Sequence, residues 1–377
     1  MKFGPARLDN AIGKILGHNI AGPDGKRILR KGKPLTVEDI AALRAIGRNS
    51  VYVAEIEPGD LDEDAAARRV AEAVTGDGLR LSGPASGRVN LLATAQGVLR
   101  VDVDRLNQVN ACDGVTLATL ASHTAVRPRQ IVATIKIIPF AAPEKVIEQA
   151  EGAAFPASFD YDPRASRERS GGEVSAAKPK FARSVAEGGA GLRSGRLIWV
   201  DDLKPQSVSL ILSGSPSLRE KLFTDFAPLR ERVEALGSQV NHTDYVPLED
   251  ESGERLLAEK LSAQRIAGAR LIILAGETAI MDRRDIVPRA IERLGGEVTC
   301  FGVPVDPGNL LLVAYLGEVA ILGAPGCARS RKVNIVDWVL PRLLAGDRLT
   351  RGDIFALGHG GLLEDAPERP MPRNELA

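Results

Sequence analysis

The sequence predicts an α/β fold organised around a mostly parallel sheet, preceded by smaller α+β and β units. Short apolar runs recur at helical intervals between residues 207 and 344, the pattern of strands buried on both faces and joined by crossover helices. Polar loops follow at the carboxyl ends of those strands, where open α/β sheets form their ligand crevices. The front of the chain differs, because turn dipeptides and capping signals punctuate shorter apolar runs there. A length of 377 residues accommodates two or three domains with a substantial core.

Residues 1–150 are expected to form the smaller units. Pro23-Asp24-Gly25 and Lys31-Gly32 mark turns, with residues 26–29 between them as a short strand. Thr36 and Asp39 have capping-box spacing ahead of Ile40, Leu43 and Ile46, which share a helical face, and Gly47 closes that helix. VYVA at 51–54 supplies another strand. Asp60 and Glu63 form a second capping pair before an alanine-rich helix that runs to Val74. VNLLA and VLRV then read as strands around Gln96-Gly97, and 116–120 and 131–139 add β-branched runs. Asn90 and Asn110 need partners for their amides, which turn formation or helix capping supplies. Lys136, inside VATIKIIPF, either meets an anion in a cleft or snorkels from a sheet edge.

Residues 151–205 are rich in Ala, Ser, Gly, Pro and charge and lack apolar periodicity, so a flexible or irregular linker is expected there. The α/β domain then occupies 206–363, with a tail over 364–377. Acidic and basic residues balance at 49 each, so no global field favours nucleic acid or an anionic membrane. The opening MKFGPARLDN lacks the apolar segment of a secretory signal, and no later run suits a bilayer. A cytoplasmic protein without nucleic-acid or membrane partners is expected. Cys112, Cys300 and Cys327 form no CxxC pair, and His18, His123, His242 and His359 show no zinc spacing.

Four loops carry the chemistry. At 213–219, Ser213, Ser215 and Arg219 with the amides of a helix capped by Ser217 make either an anion cradle or an ordinary strand-to-helix turn. Gly276-Glu277-Thr278-Ala279 follows the buried strand 270–276. Asp285 is placed to cap the helix 286–294, whereas Asp282 has no equally plain cap role, and Arg283 and Arg284 bring positive charge beside both. If Asp282 and Asp250, from the loop 247–250, meet at one pocket, their oxygens suit a divalent cation bridging phosphates. In GAPGCARS, Pro325 and Gly326 shape a loop whose amides, with Ser330, Arg329, Arg331 and Lys332, can receive a phosphate. Basic residues at a helix start oppose the helix dipole unless an anion compensates them. Cys327 can touch such a ligand, but no base stands ready to activate it as a nucleophile.

GETAIMDRRD at 276–285, VDPGNLLL at 305–312 and APGCARS at 324–330 resemble the molybdopterin-binding domain family of molybdenum-cofactor biosynthesis, of the MoaB/Mog and MoeA type. In the front half, DNAIGKILGHNIAG and GKRILRKGKPLTVEDIAALRAIG resemble early elements of the longer MoeA-type proteins. GRVNLLATAQGVLRVD with ATIKIIPFAAP resembles the two-part molybdopterin-binding proteins. The resemblance implies a three-layer sheet of the molybdopterin-binding type over 206–363. It implies that molybdopterin, free or adenylylated, binds at Ser213, Ser215, Gly276, Glu277, Thr278, Arg284, Pro325, Gly326, Cys327 and Ser330. Asp285, Asp282 and Asp250 would then hold Mg2+ and act in adenylyl transfer or molybdate insertion. A homo-oligomer and a recipient molybdoenzyme are implied as well. Glu277 and Ala279 stand where close phosphate approach favours glycine, and Cys327 stands where the longer proteins usually present asparagine. Those departures bear on transfer chemistry more than on binding, which keeps a noncatalytic carrier or sensor, or a structural oligomerisation protein, as alternatives.

Overall fold

The computed structural model of the chain describes residues 1–155, 195–247 and 251–363, and its architecture is mixed α/β. The chain opens with β1 (Lys2–Arg7), β2 (Ile15–Leu16), β3 (Ile20–Ala21), β4 (Arg27–Leu29), α1 (Val37–Ala45) and β5 (Ser50–Glu55). β5 lies between β1 and β2. Leu8, Leu16, Leu35, Ile40 and Leu43 form one core with them. The capping box expected at α1 is present, since the Thr36 hydroxyl accepts the Asp39 amide and the Asp39 carboxylate accepts the Thr36 amide.

The next unit comprises β6 (Asp60–Asp62), α2 (Glu63–Val74), β7 (Leu79–Leu81), β8 (Arg88–Ala93), β9 (Gly97–Val101), α3 (Val103–Asn110), β10 (Val115–Thr119), β11 (Ala125–Val126), β12 (Ile131–Ile137), β13 (Ala141–Pro143) and α4 (Glu144–Ala153). Its second helix departs from expectation, because Asp62 and not Asp60 caps α2, accepting the Asp64 and Ala65 amides. Asp60 is drawn instead to the Met1 amine at 2.6 Å and the Glu57 amide at 2.8 Å. Ala66, Ala67, Val70, Ala71 and Val74 pack α2 against Val89, Leu91, Ile135 and Ile137. Asn90 and Asn110 serve the sheet: Asn90 accepts the Thr134 hydroxyl, and Asn110 holds both the N–H and the carbonyl of Leu117. Lys136 is spoken for by Glu63 at 3.2 Å and the Ser86 carbonyl at 2.7 Å, so it offers no charge to a ligand.

Within the span 151–205, residues 156–194 lie outside the described residues, as does the tail 364–377. On the near side α4 continues to Ala153. On the far side β14 (Ile198–Asp202) pairs antiparallel with β9, which sits between β11 and β14. The later part of the chain thereby contributes a strand to a sheet of the front half. Arg100 of β9 fixes the join. It is 7% exposed and donates to Asp201 at 2.8 Å and to both oxygens of Asp347 at 2.6 and 2.8 Å. Asp347 also accepts from Arg342, whose Nη2 reaches Asp353 at 2.8 Å.

The main sheet has six strands, in the order β16 (Gln239–Pro247), β15 (Ser207–Gly214), β17 (Leu271–Gly276), β20 (Val319–Gly323), β19 (Leu312–Leu316) and β18 (Glu297–Phe301). The pairings from β16 to β20 are parallel, and those of β19 with its neighbours are antiparallel. Period-two alternation sends Leu210, Leu212 and Ile273 to one face and Ile211, Ile272 and Leu274 to the other. The first face is covered by α5 (Arg219–Asp225), α6 (Ala227–Ala235) and α9 (Val336–Leu344), through Leu222, Phe226, Leu229, Val233 and Val339. The second face is covered by α7 (Glu251–Ile266) and α8 (Ile286–Arg293), through Leu257, Leu261, Val287 and Ile291. α5 and α6 are separate helices: Phe226 leaves helical geometry and Pro228, which has no amide to donate, lies in the first turn of the second. A short α10 (Arg351–Phe355) follows. Among the described residues no helix is long and apolar enough to cross a membrane.

Two outcomes follow from the join. Arg100→Met should cost about 3 kcal/mol, the low end for breaking a buried ion pair, because Arg342 still serves Asp347. Urea unfolding followed by tryptophan fluorescence measures it. His123, in the turn ahead of β11, has its imidazole pushed down from 6.5 to about 4 by burial and by the Arg342 and Arg100 charges. Between those values the unfolded chain binds more protons than the folded one, so stability falls as pH drops through that window. His123→Gln should flatten the slope, read as the change in urea midpoint between about pH 7 and about pH 5.

Candidate functional site

The loops after β15, β17 and β20 meet at the carboxyl ends of these parallel strands. Glu277, the first residue beyond β17, donates its amide to the Ser213 carbonyl at 2.9 Å, and its carboxylate accepts the Ser215 amide at 2.7 Å. The two backbones approach so closely that a Cβ on Gly276 would lie 2.7 Å from Ser213 Oγ and 2.9 Å from the Ser213 carbonyl oxygen. From the third loop Arg329 reaches back, donating through Nη2 to the Gly276 and Glu277 carbonyls at 2.8 and 3.1 Å. Its guanidinium carbon lies 4.8 Å from the centre of the Phe226 ring, and its Nε is buried without a partner among the described residues. Ser213, Ser215, Gly276 and Glu277 are thus brought together, and Arg329 ties them to the loop after β20.

Charge at this point is set by Glu277. The Ser215 amide, helped by the Arg329 charge, holds its carboxyl below the ordinary value. An ionised carboxylate therefore already occupies a backbone donor that an incoming anion would use. Thr278 beside it is exposed. Ser217 does not cap the following helix, which starts instead from a 3₁₀ turn, Pro216–Leu218.

Asp282 and Asp285 form separate local arrangements. The Asp282 carboxylate takes the Arg284 guanidinium at 2.9 Å and the Arg284 amide at 2.8 Å, which hold it below its ordinary value. Arg284 is thereby engaged too. Asp285 caps α8, accepting the Ile286 amide at 2.7 Å through Oδ1 and the Met281 amide at 3.2 Å through Oδ2. Asp250 lies outside the described residues. Among the described residues no group of three or more His, Cys, Asp or Glu could hold a metal ion. Mg2+ wants several free carboxylate, carbonyl or water oxygens in octahedral array. Asp282 and Asp285, committed to guanidinium and amide donors, do not fit that requirement.

In the loop after β20, Pro325 is buried and opens a 3₁₀ turn, Gly326–Arg329. A Cβ on Gly326 would meet nothing within 4 Å, so this stretch of backbone is open to approach. Burial pushes the Cys327 thiol up, the opposite of activation. The Ser330 hydroxyl accepts the Lys332 amide at 3.1 Å. The basic helix start is not found: α9 begins at Val336, whose amide the Asn334 side chain accepts at 3.0 Å, and Asp337 lies in its first turn. Arg331 pairs with Glu231 and needs no further anion. Arg232 organises this loop, donating to the Ala328, Ser330 and Lys332 carbonyls and to Asp337 at 2.9 Å. Nothing local in the sequence signals that role, because its partners lie 96 to 105 residues away.

A family described as a domain of unknown function (DUF8806) matches residues 5–55. The molybdopterin molybdenumtransferase of Synechococcus elongatus is 32% identical over 119 residues, which is 31% of this chain and 28% of that relative. The chain resembles the molybdopterin-binding proteins of molybdenum-cofactor biosynthesis. In that match it spans less than a third of the relative's length. Among solved structures, molybdenum cofactor biosynthesis protein B shares 15% identity, with 38% of this chain and 95% of that chain covered and a TM-score of 0.27. The molybdopterin biosynthesis moeA protein from Pyrococcus horikosii shares 12%, covering 92% of this chain and 75% of its own, with a TM-score of 0.28.

The cap role of Asp285 gives a clean expectation. Asp285→Ala should lower stability by about 1 kcal/mol, whereas Asp285→Asn, which keeps an acceptor oxygen, should retain most of it. Thermal unfolding of the two variants side by side distinguishes a capping group from a carboxylate wanted for its charge.

Proposed function

We propose that this protein binds molybdopterin, or its adenylylated form, at the loops after β15, β17 and β20 and takes part in molybdenum-cofactor biosynthesis. The three-layer sheet of the molybdopterin-binding type, as a domain over 206–363, belongs to the same reading, as do a cytoplasmic location and a homo-oligomeric state. The observation that carries it is the pair of bridges, Arg329 to the Gly276 and Glu277 carbonyls and Glu277 to the Ser215 amide, which together join three strand-end loops at the place where α/β sheets form ligand crevices. The Synechococcus elongatus relative supports it by name and by partial sequence match.

Each residue has a physical task in this reading. The close approach at Gly276 keeps the Ser213 hydroxyl beside the backbone of the loop that carries Thr278. Arg329 supplies a positive charge whose Nε has no partner among the described residues. The open backbone at Gly326, with Ser330 beyond it, admits a phosphate. Glu277 opposes that phosphate, because its ionised carboxylate holds the Ser215 amide. With Glu277 in that position and Asp282 and Asp285 engaged locally, binding without turnover is favoured over adenylyl transfer or molybdate insertion. A carrier or sensor that delivers the pterin to a molybdoenzyme is the form of the function these residues support best.

The test is anaerobic incubation with molybdopterin and separately with its adenylylated form, each with and without Mg2+, ATP and molybdate, followed by native mass spectrometry. Stoichiometric binding without a new product is expected. Release of AMP on adding molybdate would instead establish an enzyme, and failure to bind either form would remove the reading altogether.

A further inference from the structure

Where the front half meets the α/β half, a cavity of about 670 Å³ opens between the turn 121–124 with β11 on one side and the ends of α6 and α9 on the other. We propose that this cavity is a second small-molecule site, for an organic anion with an aromatic body, lined by none of Ser213, Ser215, Gly276, Glu277 and Arg329. Its volume is that of a site for a drug-sized molecule, and seams between packed units are favoured places for such sites.

The wall defines the body of the ligand. Val126, Leu236, Val333, Leu340 and the Trp338 ring supply apolar surface, which suits a flat hydrocarbon or heteroaromatic ring. Gln96 closes one edge by donating to the Ala235 carbonyl at 2.6 Å.

The charges define its polar end. Arg127, Arg232, Arg342 and Asp337 are the charged residues of the lining. Arg232 is committed to Asp337, and Arg342 to Asp347 and Asp353. Arg127 alone of the three arginines has no ion pair among the described residues, which leaves one uncompensated positive charge at the cavity. An anionic group on the ligand would compensate it.

His123 adds an independent sign. It holds a φ of +70°, a backbone conformation that L side chains rarely adopt. The turn keeps it there through the His123 amide on the Leu99 carbonyl at 2.7 Å and the Leu99 amide on the Thr124 carbonyl at 2.9 Å. Such strain gathers at ligand sites. It sets the imidazole into the cavity wall, where it makes no hydrogen bond among the described residues and is free to make one to a ligand.

The probes are 8-anilinonaphthalene-1-sulfonate and its uncharged counterpart N-phenyl-1-naphthylamine, titrated into the full-length protein with probe fluorescence and tryptophan quenching as readouts. The sulfonate should bind saturably at one site per chain, at least about tenfold tighter than the neutral probe. Arg127→Gln, an exposed position, should erase that preference while leaving the neutral probe's affinity unchanged. Ala235→Trp, at the exposed end of α6, should fill the cavity and abolish both signals, with circular dichroism confirming that the variant folds. Equal affinities for the two probes would overturn the charge assignment. Sulfonate binding that survives Ala235→Trp in a folded variant, or no saturable binding at all, would overturn the site.

Discussion

Burial of three neighbouring parallel strands, β15, β17 and β20, on both faces is the constraint from which the candidate site follows. A strand covered by helices on each side carries interior polar groups only where they are paired, as Ser209 is to Gln264 at 2.9 Å, and can offer unpaired ones only at its ends. Leu210, Ile211 and Leu212 alternate between two separate cores, and Ile272, Ile273 and Leu274 do the same. Ser213 and Gly276 are therefore the first positions where chemistry can stand, and the parallel register of β15 and β17 brings them side by side. The glycine at 276 answers a packing need before any ligand is considered, because the Ser213 side chain and carbonyl leave no room for a Cβ.

What the sequence makes legible divides along one physical line. Signals that depend on a few consecutive residues are correct: the capping box of Thr36 and Asp39, the cap at Asp285, and the apolar runs of β15 and β17. The cap of α2 is missed because Asp60 and Asp62 have nearly equal local claims, and the distant Met1 amine decides between them. The basic start expected for the last long helix is not there because the helix begins only at Val336, beyond Arg329, Arg331 and Lys332, and Arg331 is paired with Glu231, a hundred residues upstream. Arg100, Arg232 and Arg329 do the most joining in the fold, yet each acts through partners far away in the chain and leaves no periodic trace. Of the candidate site, the loops were readable and their connections were not.

Glu277 shows how one substitution alters what a loop can do without altering where it lies. A glycine there would leave the Ser215 amide free for a ligand oxygen. The carboxylate supplies that oxygen from within the chain, at 2.7 Å, and remains ionised because the amide and Arg329 favour the charged form. The geometry of a ligand crevice is kept while its first donor is satisfied internally. Under the proposed function, phosphate binding would rely on Arg329, on the exposed Thr278 and on the open backbone at Gly326.

The strand-end site and the cavity at the seam are not independent pieces of the molecule, because Arg232 belongs to both. Its residue lines the cavity, while its guanidinium holds the Ala328, Ser330 and Lys332 carbonyls in the loop that carries Arg329. Asp337, also in the cavity wall, neutralises Arg232 and caps the approach to α9 by accepting the Asn334 amide. A single half-buried charge pair therefore shapes one wall of the cavity and the backbone path of the loop. Removing either partner would leave the other charge uncompensated, and both places would change together.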